Sequence, residues 1–189
     1  NESYQPLGNL LLDFGAADTV SGYRRELDLD TAIATVTYIA RGITFTREAF
    51  SSAVHQIVAV RITCSEPGGL AFVASMDSLQ RSSCEAIGQD VLRLRGKAPS
   101  HVDPNYVRSE NPVLHDDAPG KGMYFEGLLR IIHDGQSHAD GRNIHLNGAK
   151  TALLLFTAAT GYAGFEEDPA VSPEILSDRC RKVIEAASK

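Results

Sequence analysis

A short loop around His101 holds the densest group of side chains in this sequence that could contact a ligand. His101, Asp103, Asn105 and Tyr106 fall within one stretch of six residues. An imidazole, a carboxylate, an amide and a phenol all donate or accept hydrogen bonds, so the group suits the hydroxyl groups of a sugar. Asp and Asn beside proline also stabilise turns routinely, and the residues alone favour a purely structural loop.

Cleavage of a glycosidic bond requires a different arrangement, a pair of carboxyl groups that act as acid and as base or nucleophile. The candidates in this chain are Glu26, Asp28, Asp30 and Glu48. Arginines directly precede both glutamates, in Arg24-Arg25-Glu26 and in Arg47-Glu48. These residues are more simply interpreted as cross-strand ion pairs on a sheet face. We therefore predict no catalytic residue in this chain.

A metal site is not predicted either. The possible ligands near the loop are His101, Asp103, His115, Asp116 and Asp117. They follow neither a zinc spacing such as HExxH nor the ladder of a calcium loop. The sequence also lacks a glycine-rich phosphate loop and a nucleophile elbow, so we expect no metal and no cofactor. The histidines at 55, 133, 138 and 145 are dispersed and are assigned no role.

Size and charge limit the classes of function. With 189 residues and 43% hydrophobic content, the chain is long enough for one domain with a sizeable core. Its formal charge of −6, and the lack of any Lys/Arg run longer than Arg24-Arg25, argue against nucleic acid and anionic membranes as partners. No apolar run approaches the roughly 20 residues of a membrane-spanning helix. Cys64, Cys84 and Cys180 lie far apart and are interpreted as small buried residues, with any disulfide left open.

The elements that would position these groups are mostly β-strands. From Leu7 to Ala158, apolar and polar residues alternate in short runs bounded by Gly, Pro, Asn and Asp, which is the pattern of an antiparallel all-β fold. A strand is predicted at Ala32–Tyr38, and the clearest hairpin joins Thr35–Ile39 to Ile43–Phe50 through the turn Ala40-Arg41-Gly42. Further strands are predicted at Leu10–Phe14, Arg24–Leu29, Gln56–Ile62, Leu70–Met76, Val91–Arg95, Phe125–Ile132 and Thr151–Thr157.

The pattern changes in two places. Between Gly96 and Gly122 the alternation stops and four of the eight prolines occur, which predicts a long loop around the His101 group. Near the end of the chain, Ser172 can cap a helix, Pro173 suits its first position, and apolar residues recur with helical spacing. We predict an amphipathic helix from Pro173 to Ala187.

Four stretches together carry a resemblance to a known family. They are Tyr4–Leu10 (YQPLGNL), Tyr23–Leu29 (YRRELDL), Phe45–Ser51 (FTREAFS) and His101–Tyr106 (HVDPNY). In order and spacing they resemble the amino-terminal β-domain of glycoside hydrolase family 95, the α-L-fucosidase family, as far as about Thr160. The resemblance implies part of a mutarotase-like antiparallel β-sandwich with one C-terminal helix. It places a sandwich domain at 1–160 and a linker with the helix at 161–189.

The resemblance also implies a role. In that family a helical barrel follows the β-domain and carries the catalytic Glu, Asn and Asp, and no position in this chain matches them. The expected function is a non-catalytic support for a barrel that hydrolyses α-1,2-linked fucose, with the barrel as partner and a fucosylated oligosaccharide as substrate of the parent enzyme. Loops of the β-domain reach towards the cleft in that family, which makes His101, Asp103, Asn105 and Tyr106 candidates for the cleft rim. A secreted or periplasmic location is favoured by the resemblance, although Asn1-Glu-Ser-Tyr4 contains no export signal.

Two alternative functions remain open, and copies of this chain are expected to associate. A stand-alone carbohydrate-binding module would stack sugars on exposed aromatic rings, and without tryptophan that role would fall to Tyr106 and Tyr124. A mutarotase-like epimerase shares the sandwich but needs a paired acid and base in one concave site, which the sequence does not mark. We also expect a homo-oligomer, because open strand edges would lack cover, as would a helix stripe at Ile175, Leu176, Val183 and Ile184.

Overall fold

Antiparallel strands and one C-terminal helix form this chain in the computed structural model, which describes residues 4–16, 19–118, 120–164, 166–169 and 171–189. The first strands are β1 (Asn9–Asp13), β2 (Val20–Asp28), β3 (Ile33–Ala40), β4 (Ile43–Ser52), β5 (Ile57–Cys64), β6 (Leu70–Asp77), β7 (Arg81–Ile87) and β8 (Val91–Lys97). They are followed by β9 (His101–Val102), β10 (Val113–Leu114), β11 (Tyr124–His133), β12 (Gln136–Ala139), β13 (Asn143–Ala149), β14 (Thr151–Thr160) and helix α1 (Pro173–Ala187).

Two layers of sheet make up the sandwich. The larger sheet has the order β2-β3-β4-β5-β14-β11-β8-β7, the smaller has the order β1-β6-β13-β12, and β9 and β10 form a separate ribbon. Each pairing between described strands is antiparallel. Near the middle of the larger sheet, β14 pairs with β5 on one side and with β11 on the other. The predicted all-β antiparallel sandwich with a C-terminal helix is confirmed.

The tight turn between β3 and β4 follows from its residues. Arg41 and Gly42 form the loop, with φ angles of 52° and 75°. Two positive φ angles in a two-residue loop are typical of a type I′ turn, whose twist matches that of the flanking strands. Glycine adopts this region freely, whereas Arg41 is held there by the strand pairing on either side. The predicted hairpin is confirmed.

The main hydrophobic core lies between the two layers. Strand β6 shows the alternation clearly, because Leu70, Phe72, Ala74 and Met76 are buried and the residues between them are more exposed. The larger sheet contributes Ile62, Leu92, Leu94, Leu129, Ile131 and Leu154 to the same core. A period of two on each strand thus sends one set of side chains into the space between the layers.

Helix α1 packs on the opposite face of the larger sheet. Its bounds agree with the prediction, and Pro173 lies in its first turn. Ser172 occupies the cap position, but its side chain makes no capping hydrogen bond, so the predicted side-chain cap is wrong. The Leu176 N–H instead bonds to the Ser172 carbonyl at 3.3 Å, as an ordinary first helical turn requires.

The apolar stripe of α1 is covered by the sheet, which corrects the expectation that it would lack cover. Leu176, Cys180 and Ile184 are buried, whereas Ile175 is 50% exposed. The second cluster of buried residues, in which Cys180 and Ile184 take part, also contains Ile57, Ala59, Leu128 and Leu155. The helix folds back because this packing removes apolar surface from water on both partners.

Five strands were not predicted from the sequence. Strand β7, with the sequence RSSCEAI, and strand β12 are the last strands of their sheets, where polar side chains are common and the alternation is weak. Strand β13 buries Ile144 and Leu146, but an irregularity in register between Leu146 and Ala149 breaks its period. The predicted loop from Gly96 to Gly122 contains the short ribbon of β9 and β10.

The cysteines are free thiols. Cys64 and Cys180 are buried and Cys84 is half-buried, and no disulfide joins them. Burial raises the pKa of the Cys180 thiol to about 12, and the nearby Glu126 acts in the same direction. The interpretation of small buried residues therefore holds for Cys64 and Cys180. No helix among the described residues is long and apolar enough to cross a membrane.

Candidate functional site

The His101 loop projects from the β9–β10 ribbon. The Ser100 N–H donates to the Leu114 carbonyl at 2.9 Å. The Asp103 N–H donates to the Pro112 carbonyl at 2.8 Å. These bonds extend the pairing on both sides of β9, so the chain from Asp103 to Pro112 is a hairpin loop with a fixed base.

The imidazole of His101 and the carboxylate of Asp103 are in contact. His101 Nε2 lies 2.8 Å from Asp103 Oδ1. The hydrogen bond to His101 lowers the pKa of Asp103 below its ordinary value, and the Ser109 hydroxyl acts in the same direction. Asp103 is therefore an ionised acceptor. A general acid for glycoside cleavage needs a raised pKa instead, so Asp103 is not suited to that role.

Asn105 and Tyr106 lie further out on the same loop. The Val107 N–H donates to the Pro104 carbonyl at 2.9 Å and closes a turn around them. Both side chains are exposed, and Tyr106 is 77% exposed. The structure thus brings His101 and Asp103 together, and it leaves Asn105 and Tyr106 presented to the surroundings at the tip.

A cavity of about 310 Å³ opens beside this loop. Ser100 and Val102, which flank His101, line one side, and the segment Tyr4–Leu7 lines another. The Gln80 side-chain amide donates to the Gln5 side-chain oxygen at 3.1 Å and ties that segment down. The Tyr4–Leu10 stretch therefore meets one residue of the His101–Tyr106 stretch, Val102, at this cavity. The other lining residues are Gln80, Ala98, Pro99, Met123, Phe125 and Thr160.

The glutamates considered for catalysis are engaged in ion pairs. Glu26 contacts Arg24, two residues away on the same strand. Glu48 pairs with Arg61 across β4 and β5, with Nη2 2.7 Å from Oε2. Glu48 therefore forms a cross-strand ion pair as predicted, with Arg61 and not with its neighbour Arg47, whereas the Glu26 pair runs along one strand and is not the predicted cross-strand pair. Neighbours in sequence on a strand point to opposite faces, which is why Arg47 does not reach Glu48.

The aspartates at the end of β2 shape its turn. Asp28 Oδ1 accepts a hydrogen bond from the Asp30 N–H at 2.9 Å. This backbone bond lowers the pKa of Asp28, with bonds from Thr31 acting in the same direction. Asp28 is thus an ionised turn residue, and Asp30 is exposed in the turn that follows it.

Two further histidine–aspartate contacts were missed by the sequence analysis. His133 Nε2 lies 3.0 Å from Asp90 Oδ1, and His145 Nε2 lies 2.7 Å from Asp140 Oδ2. Partial burial opposes ionisation of Asp90, but hydrogen bonds from Ser137 and His133 outweigh it and lower its pKa. His133 and Asp90 are 43 residues apart in sequence, so only the strand register could have revealed their contact. The short Asp140 to His145 spacing was a signal that could have been noticed.

Two of the aspartates considered for a metal site, Asp116 and Asp117, are engaged in other contacts. Asp117 lies 3.6 Å from Lys97 and 3.9 Å from Arg81, and the Lys97 ammonium donates to the Asp116 carbonyl at 3.1 Å. Across the described ranges, no group of three or more His, Cys, Asp or Glu side chains is placed to hold a metal ion.

Comparisons with known proteins give the remaining information. The family model described as "Glycosyl hydrolase family 65, N-terminal domain" matches residues 1–164. Alpha-L-fucosidase 2 of Arabidopsis thaliana is 33% identical over 174 residues, which cover 87% of this chain and 20% of that protein. Probable alpha-fucosidase A of Aspergillus niger is 38% identical over 167 residues, or 85% of this chain and 18% of that protein. The Aspergillus oryzae protein of the same name is 24% identical over 186 residues, or 89% and 23%. The chain spans about a fifth of the length of these relatives.

Proposed function

Because this chain belongs to the family of glycosyl hydrolase family 65 N-terminal domains, we propose that it acts as the non-catalytic β-domain of an α-L-fucosidase-like glycoside hydrolase. The sequence-based prediction of a glycoside hydrolase amino-terminal domain is confirmed at the level of the family. The matching description carries the number 65, so the narrower assignment to family 95 remains part of the proposal. So do the partner barrel and the α-1,2-fucosylated substrate.

The state of the carboxylates supports a non-catalytic role. Glu26 and Glu48 are held in ion pairs with arginines. Asp28 and Asp103 have lowered pKa values. Asp28 and Asp103 are therefore not prepared to donate a proton to a leaving group at neutral pH. In the full enzyme, that chemistry would have to come from another part of the polypeptide.

One observation carries the proposed role of the loop. Val102, inside the His101–Tyr106 stretch, lines the same cavity as Tyr4–Leu7, although the two stretches are far apart in sequence. Beside it, His101 and Asp103 are fixed by their mutual hydrogen bond, and Tyr106 stands exposed. A ligand that reached this loop would find an acceptor, an imidazole and an aromatic ring in place. We infer that the loop lines the substrate cleft of the parent enzyme.

The test uses the full-length parent enzyme and α-1,2-fucosylated oligosaccharides. His101→Ala and Asp103→Asn should each lower kcat/KM by about tenfold, the loss expected for one hydrogen bond to a charged group. Asp140→Asn is the matched control, because it changes the same kind of histidine–aspartate contact at a distant hairpin. Unchanged kcat/KM in both loop variants, or an equal loss in the control, would assign the loop a structural role.

A stand-alone carbohydrate-binding module is the second candidate, favoured by the exposed ring of Tyr106. The other ring considered, Tyr124, is half-buried, and the Lys97 ammonium lies 5.2 Å from its centre. Binding of fucosylated oligosaccharides to the 189-residue chain alone, abolished by Tyr106→Ala, would favour this candidate. The epimerase would need a paired acid and base in one concave site, and the described residues that line the cavity beside the His101 loop include no Asp, Glu or His.

A further inference from the structure

Arg47 on β4 has a partly buried guanidinium without a counter-charge. Its Cζ lies 4.0 Å from the centre of the Phe14 ring, and its Nη2 donates to the Tyr38 hydroxyl at 3.0 Å. Its Nε is buried and makes no hydrogen bond to any described residue. A cation that is withdrawn from water is unfavourable unless it is paired. The site therefore favours an anion supplied from outside.

Arg25 lies on the same face of the larger sheet. Arg25 on β2 is opposite Val36 on β3, and Val36 is opposite Arg47 on β4. Directly opposed residues project from one face of a sheet, so the two arginines flank Val36. Arg47 is in turn opposite Ile62 on β5, which is buried in the main core. The smaller sheet covers this face of the larger sheet at β5. Arg25, on β2, is exposed.

A third arginine extends this face. Arg41 lines a cavity of about 490 Å³ together with Phe14, Tyr38 and Phe45. The rings of Tyr38 and Phe45 are stacked with their centres 5.3 Å apart. The cavity therefore places aromatic surface beside a guanidinium. Within the part of the chain that the structure describes, no carboxylate forms an ion pair with Arg25, Arg41 or Arg47.

We propose that this face, defined by Arg25, Arg41 and Arg47, binds an acidic glycan whose sugars carry carboxylate or sulfate groups. Unpaired cations concentrated on one face of a protein with a net charge of −6 attract anions locally. Arg41 is five positions beyond Val36 along the chain, about 16 Å at the rise of a strand, so an extended polyanion is needed to contact all three. The aromatic walls suit the apolar faces of sugar rings. The choice of a glycan over an acidic peptide rests on the proposed function.

Calorimetric titration of the 189-residue chain tests the proposal. The probes are oligogalacturonate, which carries carboxylates, sulfated dextran of similar length, neutral dextran, and polyglutamate as the peptide polyanion. At least one charged glycan should bind more tightly than neutral dextran and polyglutamate, and the preferred one identifies the acidic group. The double variant Arg25→Gln with Arg41→Gln should weaken that binding by about tenfold or more, as expected for lost charge-assisted contacts.

Arg24→Gln is the matched control. Arg24 neighbours Arg25 on β2, but it is opposite Thr37 and so projects from the other face. Its replacement removes the same charge and should change the dissociation constant by less than about twofold, the scale of a weak surface charge effect. Arg47→Gln tests directly whether the partly buried cation contributes to glycan binding. If that variant does not fold, the binding measured for the Arg25→Gln, Arg41→Gln double variant decides the question.

Three results would overturn the proposal. They are no binding of either charged glycan, equal or tighter binding of polyglutamate, and an equal loss in the Arg24→Gln control. His101→Ala should bind the glycan as the unchanged chain does, because His101 lies on the separate β9–β10 ribbon. Failure of the cleft assignment and failure of the glycan site are thus distinguishable.

Discussion

Arg95 and Glu126 form an ion pair beneath helix α1, with Arg95 Nε 2.7 Å from Glu126 Oε2. The Glu126 side chain is only 2% exposed. The Ser177 hydroxyl on α1 donates to the same carboxylate oxygen at 2.5 Å and also contacts the Arg95 guanidinium. One polar network therefore joins β8, β11 and the helix in an otherwise apolar contact.

Removal of Arg95 should destabilise the fold strongly. Arg95→Met leaves the buried Glu126 carboxylate without its counter-charge, which should lower the free energy of unfolding by about 3 kcal/mol. Arg93→Met is the control, because Arg93 pairs with Glu85, whose side chain is 53% exposed. That change should cost less than about 1 kcal/mol. Urea unfolding measures both, and equal losses would show that the burial of Glu126 does not matter.

Acid should weaken the β12–β13 hairpin through Asp140. Hydrogen bonds from His145 and Asn143 hold the pKa of Asp140 well below its ordinary value. A carboxyl group with a lowered folded pKa stabilises the fold above its unfolded pKa of about 3.9, and the contribution is lost as the pH falls towards the folded pKa. The melting temperature should therefore fall more steeply below about pH 4 in the unchanged chain than in Asp140→Asn. Parallel curves by circular dichroism would contradict this.

Gly96 should not tolerate a side chain. A Cβ atom there would lie 2.2 Å from the Phe125 ring and 2.6 Å from the Arg81 carbonyl oxygen. Gly96→Ala should therefore lower the free energy of unfolding by about 1–3 kcal/mol, as overpacking does. At Gly161 the nearest atoms would be 3.5 Å away, so Gly161→Ala serves as the control. Thermal unfolding that ranks the control as the more damaging change would refute the close-packing argument.

The chain alone should release no fucose from α-1,2-fucosylated oligosaccharides. Hydrolysis needs two positioned carboxyl groups, and the glutamates available here are held by arginines. A sensitive assay for free fucose on the purified chain provides the measurement. Turnover that disappears in Glu26→Gln or Glu48→Gln would show that this domain has its own active site.

We expect the isolated chain to associate through β2. This strand is the first in the larger sheet, and Leu27 on it is 60% exposed. An open edge with free N–H and C=O groups pairs readily with another chain. Light scattering should give a multiple of the 20.4 kDa monomer, and Leu27→Lys should shift the mass towards the monomer. A monomeric mass at high concentration would contradict the expectation.

Local patterns were enough to predict much of the fold. The type I′ turn at Arg41 and Gly42 is encoded within the hairpin itself, and the bounds of α1 follow from Pro173 and the helical period. Strands β7 and β12 were missed because they lie at the edges of their sheets. Edge strands carry more polar residues, so the alternation of apolar and polar residues is weak in them. The cover of the helix stripe was also missed, because it depends on which sheet face remains free after folding.

The candidate site was predicted only in part. The polar character of the His101 loop is visible in the sequence, and so are the four residues that could contact a ligand. Its meeting with Tyr4–Leu7 depends on contacts such as that between Gln5 and Gln80, which are 75 residues apart. No local sequence pattern predicts a contact between residues so far apart in the chain. The row from Arg25 to Arg47 likewise exists only through the register of three strands.

The position of β14 sets the order in which the strands of the larger sheet can pair while the chain is being synthesised. Strands β2 to β5 pair with their neighbours in sequence, so this meander can form early on the ribosome. The other edge of β5 stays unpaired until β14 has been made, because the first residue of β14, Thr151, is translated long after Cys64. Throughout that interval the nascent chain carries a bare β5 edge. We therefore expect the β5 edge to be a binding site for chaperones during translation, and a stalled chain that ends before Thr151 should aggregate.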